Sequence, residues 1–150
     1  MGELRSTAER KADAIALLER QGHAWLATAS RAGIPRLIAV ATAWDGEVLV
    51  IATRAASPTA RNLDETGVVR LAFGSPDDVV MIEAAVLDSA PASTVADEIR
   101  TTFVDAAGWD PADEGPDWQY FRLRPVKAEA YRGYGELQGR DIMRAGRWLA

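Results

Sequence analysis

Between Ala24 and Gly74 the chain alternates apolar runs with tight-turn signals, then breaks the pattern once with the segment ATRAASPTARNLDETG. In WLATASRAGIPRLIAVATAW two apolar runs flank a turn at Arg31-Ala32-Gly33. Asp45-Gly46 is a two-residue hairpin signal, because both central positions of the favoured turn need positive φ. EVLVIAT then supplies a third run. The spacing predicts antiparallel strands at 24–30, 36–44 and 47–53, followed by a helix over 57–65 that opens at Ser57-Pro58. Strands joined by hairpins exclude a doubly wound nucleotide fold, and no Gly-rich phosphate loop string is present.

The flanking segments extend this pattern. Ser6 with Glu9 forms a capping box, and Ala8, Ala12, Ile15 and Leu18 suggest the apolar face of a helix over 6–21 that Gln21-Gly22 ends. VVRLAFG at 68–74 reads as a fourth strand and residues 77–89 as a fifth. The unbroken run Val79 to Ile82 is expected to be buried on both faces. Pro91, Ser93 and Thr94 start a second long helix over 91–107, whose stripe is Val95, Ile99 and Phe103. Residues 109–117 read as a loop rich in breakers and acids. WQYFRLR and VKAEAYRGY read as two strands divided by Pro125, and the tail beyond them shows no period. The expected fold is mainly β with α: an antiparallel split β-barrel with flanking helices, one domain over 1–150, with its last strands and tail in 118–150.

Composition narrows the chemistry. The 150 residues contain no cysteine and one histidine, His23, so thiolate chemistry is excluded and a zinc site of the usual ligands is not expected. His23 reads as a turn residue between helix and strand. No run approaches the roughly 18 apolar residues of a membrane span, and the charged N-terminus lacks the pattern of a secretory signal; a cytoplasmic protein with no membrane association is expected. A net charge of −5 argues against nucleic acid. That charge is polarised: eleven acids face Arg100 alone between Asp77 and Asp117, whereas seven basic residues oppose three acids from Trp118 onward. The two blocks can pair within a chain, across a dimer or around an anionic ligand.

The best candidate for binding chemistry is the opening of the 57–65 helix. Ser57 supplies an N-cap hydroxyl, Pro58 suits the first helical position, and Thr59 adds a second hydroxyl. Free N–H groups and the helix dipole attract an anion there. Thr53 and Arg54 end the preceding strand at the same mouth, and Arg61 and Asn62 lie one turn in. A plain capped helix with a surface arginine accounts for the same residues. No group of residues suggests a catalytic acid, base or nucleophile. Glu83, inside an apolar strand, calls for a partner, and a tail arginine is the expected one. Five tryptophans, with Tyr120, Phe121, Tyr131 and Tyr134, are enough either for a core and interface or for a wall against a flat ring.

Taken in order, these segments resemble the pyridoxamine 5′-phosphate oxidase-like FMN-binding split-barrel family, and within it the branch of flavin and deazaflavin oxidoreductases that includes F420-dependent enzymes. The resemblance is carried by strand–Gly-x-Pro–strand at Gly33 to Val40, by Trp44-Asp45-Gly46, and by Thr53 with Ser57-x-Thr59-x-Arg61-Asn62-Leu63. DDVVMIEA and the tail ELQGRDIMRAGRWL complete it. It implies a homodimer with two cofactor sites, for F420 or FMN, at the interface, each lined by both protomers. The cofactor's phosphate would lie near Thr53, Arg54, Ser57, Thr59, Arg61 and Asn62, and its ring would face Arg36 and the backbone of Leu37, Ile38 and the residues up to Val40. It further implies hydride transfer between that ring and a small conjugated molecule. Two departures stand out: Pro58 and Thr59 occupy the place where relatives carry a lysine, and Ala84 follows Glu83 where a glycine is usual. The tail lacks the arginine and histidine pattern of pyridoxamine phosphate oxidation, so vitamin B6 synthesis is not expected. The alternative is a non-catalytic split barrel that binds a flavin, haem or a similar anionic conjugated ligand.

Overall fold

The computed structural model describes residues 3–150. Helix α1 (Thr7–Arg20) leads into strands β1 (His23–Ala29), β2 (Pro35–Trp44) and β3 (Leu49–Arg54). Helix α2 (Pro58–Thr66) separates these from β4 (Val68–Ser75) and β5 (Asp78–Pro91). Helices α3 (Asp97–Ala107) and α4 (Pro111–Glu114) precede β6 (Trp118–Tyr131), a 3-10 turn at Tyr134–Glu136, and a hairpin of β7 (Asp141–Arg144) and β8 (Arg147–Trp148). All pairings are antiparallel in the order β3-β2-β1-β4-β5-β6-β7-β8. β3 also pairs with β6, Leu49 opposite Leu123 through Arg54 opposite Trp118, and this closes six strands into a barrel. β7 and β8 continue the sheet beyond it.

Alternation along the strands fills the barrel. Leu26, Leu49, Ile51, Leu71, Phe73, Ile82, Phe121 and Leu123 are fully buried and form its interior with Leu63 of α2 and Leu18 of α1. A smaller apolar layer lies outside β2, β3 and β6, where α3 and α4 cover Ala43, Val50, Ala52 and Tyr120 with Phe103. Local signals set the helix ends. Ser6 and Glu9 make the reciprocal capping box, Ser57 accepts from the Ala60 N–H at 3.0 Å, and Gly67 ends α2 with φ 67°.

Several sequence expectations are corrected. Pro125 does not divide two strands, because β6 runs through it. It lies at a register shift against β5, and there the other edge of β6 passes from β3 to β7, so no ladder bond is asked of it. Val79 and Met81 are only half-buried and point outward, while Val80 and Ile82 fill the barrel. The second long helix begins at Asp97, since Pro91 still belongs to β5 and the Ala92 N–H bonds to the Trp118 carbonyl. The 109–117 loop holds α4, capped by Asp110. On α1 the buried row is Arg10, Ala14 and Leu18; Ala8 and Ala12 are exposed. The tail folds as a hairpin whose turn uses Ala145 at φ 50° and Gly146 at φ 75°. His23 is an exposed first residue of β1.

Candidate functional site

α2 opens at one rim of the barrel, where β3 ends and β2 begins. Thr53 and Ser57 bring their hydroxyls within 3.1 Å of each other, and the Ser57 oxygen caps the first turn. Thr59 is 1% exposed. Its hydroxyl accepts the Nε–H of Arg36 at 3.2 Å. Three residues on, Asn62 is also buried and donates its amide to the Thr28 hydroxyl at 3.1 Å. Thr28 and Arg36 stand directly opposite each other on β1 and β2, so one face of α2 is stitched to one cross-strand pair.

This arrangement sorts the expected residues. At the start of α2 Thr53 pairs with Ser57, and Thr59 pairs with Arg36. Asn62 instead points away from the opening, onto β1. Arg54 is exposed; it forms an ion pair with Asp117 at 3.3 Å and lies 5.4 Å over the Trp118 ring. Arg61 is exposed, and among the described residues it makes no side-chain hydrogen bond or ion pair. Leu37 is 65% exposed on the outer face of β2, while Ile38 packs against the barrel core.

The mouth suits an anion. With Nε held by Thr59, the remaining N–H groups of Arg36 have no partner among the described residues, and the first turn of α2 adds the Thr59 N–H, since Pro58 has none, the Ser57 hydroxyl takes Ala60 and the Ser57 carbonyl takes Arg61. Arg36 is therefore the cation fixed on Thr59 in the first turn of α2, and it comes from β2 rather than from α2. No periodicity of α2 could reveal it, since it depends on the register of β1 against β2.

Next to this rim the outer wall of the barrel is apolar. A groove of about 210 Å³ is lined by Trp25, Ala27, Leu37, Ala72 and Met81, with Arg70 and Glu83 among the residues at its edge. Glu83 pairs with Arg70 on β4 at 2.8 Å, not with a tail arginine, and its side chain is one-third exposed rather than buried. A second groove of about 290 Å³ runs past Thr28, Thr66 and Val68 and shares Ala27 and Arg70 with the first. The acidic middle and basic end of the chain meet inside one protomer, through Arg122 with Asp88 and Arg132 with Asp78 at 3.2 Å. Among the described residues no cluster of three or more His, Cys, Asp or Glu is placed to hold a metal, and no helix is long and apolar enough to cross a membrane.

A six-stranded antiparallel barrel with a capped helix at its rim defines a split-barrel protein. Residues 11–144 match the family model described as pyridoxamine 5′-phosphate oxidase, and the chain belongs to that family. Among solved structures, the chain is similar to one titled F420 reductase, with 28% identity, a TM-score of 0.63, and coverage of 75% of this chain and 93% of that one. A haem-binding protein from Mycobacterium smegmatis shares the fold at 20% identity and a TM-score of 0.69, covering 97% of this chain and 60% of that one. A pyridoxamine 5′-phosphate oxidase-related, FMN-binding protein from Nostoc punctiforme PCC 73102 does so at 15% identity and 0.57, with coverage of 82% and 84%. No curated protein matches the chain.

Proposed function

We propose that the chain is a flavin- or F420-dependent oxidoreductase, working as a homodimer on a small conjugated molecule. The observation that carries this reading is the first turn of α2, where the Thr53 and Ser57 hydroxyls meet at 3.1 Å and buried Thr59 accepts from Arg36 at 3.2 Å. These groups fit a phosphate, and the family match and the likeness to a protein titled F420 reductase support a redox ring behind it. When bound, such a ring supplies the hydride transfer. The chain's own part is to grip the anionic end with Arg36 and the Ser57 and Thr53 hydroxyls, and to offer the flat apolar wall of Trp25, Leu37 and Met81. A second copy on that wall would shield the ring from water.

Titration of the purified protein with FMN and with F420, followed by absorbance and fluorescence, tests the reading. Binding of one of them at micromolar concentration is expected, and Arg36→Ala should weaken it roughly tenfold to a hundredfold, the loss expected for one charge-assisted contact. Silence with both cofactors overturns it. The second reading, a non-catalytic binder of a conjugated anion, rests on Thr59, which puts a hydroxyl where relatives have a lysine. It is favoured if a cofactor binds without turnover.

A further inference from the structure

The outer layer of α3 and α4 covers two donors that have no acceptor among the described residues. Tyr120 is 1% exposed, and the Trp118 indole N–H is buried below it on the same face of β6. Among the described residues neither the Tyr120 hydroxyl nor Trp118 Nε1 has a hydrogen-bond partner. Asp110, the carboxylate that acts most on the phenol, is already committed: one oxygen takes Arg100, at 2.7 Å from Nε, and the other takes the Ala112 N–H at 3.0 Å. Burial pushes the Tyr120 phenol up to about 12, with Asp110 adding to the effect, so it stays protonated at neutral pH and needs an acceptor. A buried donor left unpaired opposes closure of the layer.

The layer is fastened by packing more than by polar bonds: Trp109 stands edge-on to Trp118 at 5.0 Å, and the end of α3 runs close over Gly22. Ala96 gives α3 no side-chain N-cap. Its floor is small-sided, with Ala41, Ala43 and Ala52 beneath Phe103. Phe103 meets Trp109 and Tyr120 edge-on at 5.7 and 5.3 Å, and the Arg100–Asp110 pair joins α3 to α4. The segment is pinned at one end by the Ala92–Trp118 bond and at the other by the Ala55 N–H, which donates to the Asp117 carbonyl at 2.8 Å just beyond Gly115 at φ 145°.

We propose that α3 and α4 form a lid poised to open, hinged near Ala92 and Gly115, and that its opening bares the Tyr120 hydroxyl and Trp118 N–H on an aromatic wall beside the α2 mouth. Trp118 is the register partner of Arg54, which lies 5.4 Å over its ring at the end of β3, three residues before Ser57. The lid does not depend on any cofactor, so native-state hydrogen exchange of the full chain without added cofactor tests it. The α3 amides should exchange ahead of the barrel strands. Tyr120→Phe removes the unpaired hydroxyl from the closed state and should slow α3 exchange about tenfold, whereas Arg100→Ala should speed it roughly threefold, with the barrel unchanged in both. Faster α3 exchange or a lower melting temperature in Tyr120→Phe would mean that the hydroxyl is paired, and would overturn the proposal. So would α3 amides that exchange only with the barrel.

Discussion

The guanidinium of Arg10 is the least expected group in the interior. It is 2% exposed, and it donates to the carbonyls of Ala130, Glu136 and Gln138 at 3.0, 2.9 and 3.2 Å, tying α1 to the last third of the chain. The carboxylate of the same Glu136 accepts from the Arg5 side chain, at 2.6 Å for the shortest bond, and from the N–H groups of Arg5 and Arg132. Those bonds, Arg5's first, hold its carboxyl at about 2, below the ordinary 4.5. A lowered carboxylate gives stability that is complete above its unfolded value and is lost as pH falls toward the folded one. Glu136→Gln should therefore destabilise the protein by about 2 kcal/mol at pH 7, and the difference should shrink between pH 4.5 and 2. Chemical denaturation of both forms across that range checks it, and a constant difference would refute it. The sequence hid this knot because an arginine in the stripe of an amphipathic helix reads as solvated.

At the scale of elements, short-range chemistry is legible and long-range pairing is not. The Ser6–Glu9 box and the Ser57-Pro58 start lie where their residues imply, but the β2–β3 turn is centred one residue later than Asp45-Gly46 suggests: only Gly46 has positive φ, and Asp45 accepts from the Glu47 and Val48 N–H groups. The β3–β6 closure joins residues almost seventy positions apart, and nothing local encodes it. The same is true of Pro125, whose tolerance depends on which strand lies on each side. The candidate site divides in the same way: its hydroxyls follow from helix capping, but the roles of Arg36 and Asn62 follow from β-register. Two substitutions test element-scale claims. Gly74 turns at φ 82°, and a Cβ there would meet the Asp78 carbonyl oxygen at 2.3 Å. Gly74→Ala should cost about 2 kcal/mol or more, read as a lower melting temperature. Ala96→Asp gives α3 the cap it lacks and should stabilise by roughly 0.5–1 kcal/mol; an unchanged or lower melting temperature would contradict the unsatisfied N-terminus described for α3.

For the molecule as a whole, the wall of β1, β2, β4 and β5 breaks the usual alternation. Strand faces turned toward water are ordinarily polar, yet this one carries Trp25 at 54% exposure with Leu37 and Met81 around the groove. The homodimer we propose would cover it. Trp25→Glu should then yield monomers by light scattering while leaving the circular dichroism of the barrel intact; a monomeric parent would refute the premise. β6 has the opposite character, since it pairs with β3, β5 and β7 and all three ladders wait for it. During synthesis the first five strands leave the ribosome with two raw edges, β3 and β5, and stay that way until residue 131 has emerged. A stall inside the α3–α4 segment would hold open a sticky half-shell, so the nascent chain is the form of this protein most in need of a chaperone.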